Sequence, residues 1–184
     1  MTDREQYTPG PASGAQVRKD GEKWTLILVR EPRHSPEKVW LALTDPAHLH
    51  EWAPFDVHES LGTVGPVKLT WVGTPKPIET RVTRADAPKV LEYNDSRWEL
   101  EALGGGGTRL TLWHNIDRRF ISMGAAGWHI AFDVLDRLLN GTPIGRFVGG
   151  EAITFGGWQR LNAEYAKQFG IEPPNWPPKP AQKS

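Results

Sequence analysis

From Phe55 to Ile116 apolar and polar residues change places at almost every second position, in one short segment after another. Phe55, Val57 and Glu59 open the series. Val67, Leu69 and Trp71 then alternate with Lys68 and Thr70, and Ile78, Thr80 and Val82 with Glu79 and Arg81. Val90 to Tyr93 is a shorter run. Trp98, Leu100 and Ala102 alternate with Arg97, Glu99 and Glu101, and Leu110, Leu112, His114 and Ile116 with Arg109, Thr111 and Trp113. Successive strand side chains point to opposite faces, so this pattern predicts an antiparallel sheet with one apolar and one wet face. The short spacings and turn residues between segments imply a meander. Such a sheet must bury its apolar face against another element.

The cover follows directly. Ser122 to Gly141 has helical periodicity. His129, Asp133, Asp136, Arg137 and Asn140 form one polar stripe, with Gly124, Gly127, Trp128, Ala131, Leu135, Leu138 and Leu139 opposite. Gly141 suits the position just past a helix end, and Pro143 prevents continuation. Ahead of the sheet, Trp24 to Glu31 reads as a first strand. Ser35-Pro36 and Asp45-Pro46 each read as an N-cap followed by proline at the first helical position, giving two short helices. A glycine-bearing link over 145–150 leads to a last helix over 157–169 with Trp158, Leu161, Tyr165 and Phe169 on one face. Residues 1–21 show no apolar periodicity and read as a disordered arm whose removal would leave stability unchanged. Residues 22–170 form the domain, and 171–184 read as a proline-rich tail.

Composition removes several function classes. Basic and acidic residues balance at 22 each, which argues against a general nucleic-acid binder. There is no cysteine, hence no disulfide, thiolate metal site or catalytic thiol. Residues 1–22 lack an apolar signal core, and no apolar run is long enough to insert into a membrane, so a cytoplasmic location is expected. Nine tryptophans are a high count for 184 residues, and large aromatic rings are seldom left on a surface.

The stretch His34-Ser35-Pro36-Glu37-Lys38-Val39-Trp40, running on to Glu51-Trp52, and the stretch Gly124-Ala125-Ala126-Gly127-Trp128, running on to Asn140-Gly141, resemble the single-domain relatives of the Hsp90-ATPase activator. The link Leu43-Thr44-Asp45-Pro46 and the hairpin Gly106-Gly107-Thr108-Arg109-Leu110-Thr111-Leu112 occur in that family's order. The resemblance covers residues 24–170 and implies an α+β helix-grip (START-like) fold, a curved antiparallel sheet wrapped on a long C-terminal helix. It also implies a cavity between the two. The eukaryotic activator carries a further domain ahead of this one, which this sequence lacks. Stimulation of Hsp90 ATP turnover is therefore not expected.

The residues that face such a cavity by their phase are Phe55, Trp71, Trp98, Leu100, Leu112 and His114 from the sheet. Gly127, Trp128, Ala131, Phe132 and Leu135 face it from the helix. They describe either an aromatic-lined pocket for an apolar small molecule or a core those rings simply fill. His114 is the one polar side chain with an inward phase. It could orient a ligand or serve as acid or base, but proton transfer needs a second positioned group that the sequence does not offer. His129 reads as a surface residue in an i, i+4 contact with Asp133. His48 and His50 diverge on a short helix, and no histidine or carboxylate spacing matches a metal motif. Gly104 to Gly107 joins two strands, so it reads as a hairpin loop and not a phosphate cradle. The expected activity is binding of an apolar small molecule by a monomer or homodimer, without cofactor, metal or catalytic residue. An interaction module of co-chaperone type and a cyclase- or hydrolase-like enzyme using His114 are the alternatives.

Overall fold

The computed structural model describes residues 1–172. The chain begins with a helical turn, α1 (Asp3–Gln6), closed by a capping box between Thr2 and Glu5. An edge strand, β1 (Ala15–Asp20), then pairs along β2 (Lys23–Arg30), from Ala15 opposite Leu28 to Asp20 opposite Lys23. This corrects the expectation of a disordered, coreless arm. Tyr7, Pro9 and Ala15 are buried, although no periodicity surrounds them. The proline-rich stretch from Pro173 onward, with Trp176, lies outside the described residues.

The two proline-led helices form as their caps dictate. The Ser35 hydroxyl accepts from the Lys38 amide at the start of α2 (Pro36–Thr44). The Asp45 carboxylate does the same for His48 at the start of α3 (Pro46–Trp52). Then come β3 (Phe55–Val57), β4 (Gly65–Trp71), β5 (Ile78–Asp86), β6 (Val90–Tyr93), β7 (Ser96–Ala102) and β8 (Thr108–Asn115). All eight strands form one antiparallel sheet in the order β1-β2-β8-β7-β6-β5-β4-β3. Each neighbour from β3 to β8 is also the neighbour in sequence, which is the meander. Its register places Leu28 opposite Leu112 and Leu112 opposite Trp98, so one row of apolar side chains crosses three strands on the inner face.

A 3₁₀ turn (Arg118–Phe120) leads into α4 (Ile121–Leu139), which lies on that face. Between helix and sheet the large rings meet directly. Trp98 stands edge-on to Trp52, Trp128 and Phe132 at centroid distances of 6.1, 5.5 and 5.8 Å. Trp52 stacks on Phe132 at 6.4 Å and anchors itself by donating to the Ala42 carbonyl at 2.9 Å. The middle of the space between sheet and helix is therefore filled.

A short helix, α5 (Gly149–Thr154), begins at the end of the glycine-bearing link expected over 145–150 and runs beyond it. Gly149 permits it, with a positive φ and the Val72 carbonyl 3.3 Å from where a Cβ would sit. Helix α6 (Gly156–Phe169) then packs along α4, where the Ser122 hydroxyl donates to Asn162 at 2.7 Å in the buried seam. Gly170 ends α6 in the left-handed conformation. Among the described residues no helix is long and apolar enough to cross a membrane, and no group of three potential metal ligands converges.

Candidate functional site

Space remains at one end of the helix–sheet layer, beside the first two turns of α4. A groove of about 360 Å³ opens there. Its sheet wall is Trp71, Val72, His114 and Ile116; its helix wall is Met123, Gly124, Gly127 and Trp128. The third wall is the segment Phe147–Gly149 with Ala152, Ile153 and Trp158, while Pro54 and Phe120 complete the rim. None of these residues is charged. Phe120 is 49% exposed, which leaves an aromatic ring at the mouth.

Of the eleven residues assigned to a pocket by strand and helix phase, four line this groove: Trp71, His114, Gly127 and Trp128. The other seven are not part of its lining. Phe55 is buried against Trp71 and Tyr93 at 5.3 and 6.0 Å. Trp98 and Phe132 belong to the ring cluster described above, and Leu100, Leu112 and Ala131 are buried core. Leu135, with Phe132, borders a separate recess of about 240 Å³ on the far flank of α4, beside Arg30 and Asp133. An inward phase says that a side chain leaves the wet face; which inward positions are filled depends on how neighbouring elements pack. The third wall was missed. Phe147 sits in an irregular stretch and Ile153 in a helix of only six residues, so no period marks either, and Trp158 faces the groove from a helix read only as core.

His114 is held in one tautomer. The Trp128 indole N–H lies 3.3 Å from His114 Nδ1, and an indole nitrogen can only donate. Nδ1 therefore accepts, and the proton of the neutral ring is on Nε2. Burial pushes this imidazole below its ordinary pKa, partly opposed by the Asp95 carboxylate.

His129 is a correction. It is 3% exposed, not a surface residue. Its Nδ1 lies 2.6 Å from the Tyr165 hydroxyl and 3.2 Å from Arg30 Nη2, and its Nε2 faces Asp133 at 3.7 Å. Tyr7 donates to the same Asp133 carboxylate at 2.5 Å. The first two members of the polar stripe, His129 and Asp133, are thus covered and satisfied by Tyr165 of α6, Arg30 of β2 and Tyr7 of the N-terminal segment, while Asp136 and Asn140 stay exposed. Burial depresses the His129 pKa, Asp133 opposes that, and the Arg30 and Arg160 cations reinforce it.

These two imidazoles give stability a pH dependence with a definite sign. Both are depressed in the folded protein from the ordinary histidine value of 6.5. Each contributes its stability above that value and loses it as pH falls, because the unfolded chain takes up the proton first. The loss is at most about 1.4 kcal/mol per imidazole for each pH unit below the unfolded pKa. Denaturant midpoints between pH 7.5 and 5.5 should fall with acid, and His129→Gln should flatten the slope. A midpoint that rises over this interval would contradict the assignment.

A larger recess, about 480 Å³, lies on the wet face of the sheet around Trp113 and Arg97. Its central cation is already paired, Arg97 with Glu92 and Glu99 at 2.5 Å each, and Arg81 and Asp95 add further charge to the lining. The apolar groove is the better candidate, since binding pockets are mostly apolar with few convergent polar groups.

The family model described as Activator of Hsp90 ATPase homolog 1-like protein matches residues 33–140, more than half of the chain. The chain belongs to that family. The match takes in both proline-capped helices, the sheet from β3 to β8 and all of α4. The third wall of the groove lies beyond it. A conserved protein of unknown function from Enterococcus faecalis has a similar structure, with a TM-score of 0.65 and 18% identity over 86% of this chain and 92% of the other. CalU16 from Micromonospora echinospora gives a TM-score of 0.60 and 19% identity over 88% and 96%. Protein MLL2253 from Mesorhizobium loti gives 0.56 and 21% over 65% and 99%. At these identities the likeness is one of fold. A search of curated proteins returns no match. The helix-grip architecture of this chain is thus shared with bacterial proteins over most of their length, while function must be argued from the groove.

Proposed function

We propose that the protein binds an apolar small molecule in the groove between β4, β8, the start of α4 and the segment 147–158. One observation carries this reading: the glycine at position 127. It lies inside a regular helix, where glycine costs about 1 kcal/mol relative to alanine. A Cβ there would meet only Trp158 Nε1, at 3.9 Å, an ordinary contact distance. Close approach of sheet and helix therefore gives no reason for the missing side chain. The space it leaves belongs to the groove, and an occupant would give that space partner atoms. Native interiors rarely keep such voids empty. The uncharged, three-tryptophan lining supports the same reading, and a volume of about 360 Å³ falls at the small end of the usual range for ligand pockets.

The site offers no pair of groups for acid–base chemistry. His114 has no carboxylate in the lining to work with, so binding is favoured over catalysis. An environment-sensitive apolar dye should bind with one site and a Kd in the micromolar range, roughly 8 kcal/mol of affinity. Tryptophan emission should respond, because Trp71, Trp128 and Trp158 all border the groove. No saturable binding, with tryptophan emission unchanged, would defeat the proposal.

A further inference from the structure

The polar side chains of the groove are few enough to count completely. They are His114 and three indoles, those of Trp71, Trp128 and Trp158, apart from the weakly accepting thioether of Met123. The one nitrogen that can accept is His114 Nδ1, and Trp128 already occupies it. His114 Nε2 carries the proton and has no hydrogen-bond partner among the described residues. Trp158 Nε1 has none either, although the residue is 4% exposed, and it lies beside the Gly127 position at the groove floor. Among its side chains the groove therefore presents hydrogen-bond donors without a free strong acceptor, in a lining with no charge.

Resting on the binding reading above, we infer that the ligand is a neutral aromatic compound bearing a carbonyl oxygen, which accepts from His114 Nε2–H and Trp158 Nε1–H. Each part of this class follows from a feature of the wall. Rings of Trp71, Trp128, Trp158 and Phe147 favour a flat aromatic body. Two N–H groups without a protein partner favour an acceptor oxygen, because an occupant that seals them from water without accepting from them would leave both donors unsatisfied at a cost. A hydroxyl or amine donor would find no free strong side-chain acceptor to give its proton to. A carboxylate would be desolvated with no cation in the lining to meet it. Nor does His114 readily become that cation: a proton on Nδ1 would set two donors, the imidazolium and the Trp128 indole, against each other.

The test compares three matched probes on the full chain by titration calorimetry at pH 7.5: 2-acetylnaphthalene, its hydrocarbon isostere 2-isopropenylnaphthalene, and 2-naphthoate. The ketone should bind about tenfold more tightly than the hydrocarbon, equivalent to about 1.4 kcal/mol. The naphthoate should bind most weakly. In His114→Leu most of the ketone's advantage should disappear while hydrocarbon affinity holds. In the wild-type protein, nitrogen-15 NMR should show the His114 Nε2 and Trp158 Nε1 signals shifting with the ketone and not with the hydrocarbon. That measurement decides the matter if His114→Leu fails to fold. If no probe binds, the binding reading itself falls. If ketone and hydrocarbon bind equally and neither N–H signal moves, the groove binds apolar molecules but the carbonyl assignment is wrong. Tightest binding of the naphthoate would also overturn it.

Discussion

Replacing Tyr7 with alanine should lower the melting temperature by about 6–12 °C. The estimate takes about 3 kcal/mol for truncating a buried aromatic side chain and 2–4 °C per kcal/mol for a domain of this size. Tyr7 is 6% exposed and packs on Phe147 and Phe155 at 5.4 and 6.0 Å. Its hydroxyl donates to Asp133, and burial together with that carboxylate pushes its pKa well above the ordinary tyrosine value. Around it the N-terminal segment is tied down repeatedly. Arg4 donates to the carbonyls of Ile144, Gly145 and Arg146, at 3.2, 2.8 and 3.1 Å, and pairs with Glu151 at 2.6 Å. Arg160 donates to the carbonyls of Pro9 and Gly10 at 2.6 and 2.8 Å. Pro9 lies so close to Gly157 that a Cβ there would stand 2.8 Å from its ring. Deleting residues 1–14 should therefore cost at least as much as Tyr7→Ala. It should also weaken dye binding, since Arg4 and Tyr7 back the Phe147 ring that lines the groove. Calorimetric melts of both variants check this; a change under about 2 °C, the equivalent of less than 1 kcal/mol, would show that the segment contributes little.

The second large effect is on binding. Gly127→Leu should weaken dye affinity at least tenfold, about 1.4 kcal/mol, because the new side chain occupies the groove. The helix should tolerate it. Residue 127 has ordinary helical geometry, and leucine is a far better helix former than glycine. Gly127→Ala should go further in separating the two roles, raising stability by about 0.5–1 kcal/mol while trimming the groove by one methyl group. Unchanged dye affinity in Gly127→Leu would place the ligand elsewhere. Loss of stability in Gly127→Ala would mean that the glycine serves packing after all.

Much of this architecture is written locally. Strand phase from Val67 to Ile116 needs only the alternation of side chains, which is a property of extended backbone and not of context. The starts of α2 and α3 follow from Ser35-Pro36 and Asp45-Pro46, where a side-chain oxygen meets a free amide within three residues. The end of α6 follows from Gly170, which takes the left-handed conformation without strain. The inward phase of His114 was legible for the same reason as that of Leu112.

What the residue pattern left open was occupancy. Trp98 and Trp71 share an inward phase, yet one is sealed among Trp52, Trp128 and Phe132 while the other borders open space. That outcome depends on α3 inserting Trp52 between sheet and helix, a contact between residues far apart in sequence. His129 shows the same limit. A polar stripe on a helix ordinarily faces water, as Asp136 and Asn140 do, and nothing within α4 reveals that Tyr165, Arg30 and Tyr7 will cover His129 and Asp133 and satisfy their hydrogen bonds. Tyr7 itself stands alone among glycines and prolines, where no period exists to mark it as core. Local sequence determined the backbone of the periodic segments and which face their residues take, because those are set by neighbours within four positions; β1 and α5, which carry no such period, were not legible. Tertiary structure decided which inward space is filled, which polar groups are buried and where the groove opens, because packing is settled between elements that meet only once the chain has folded.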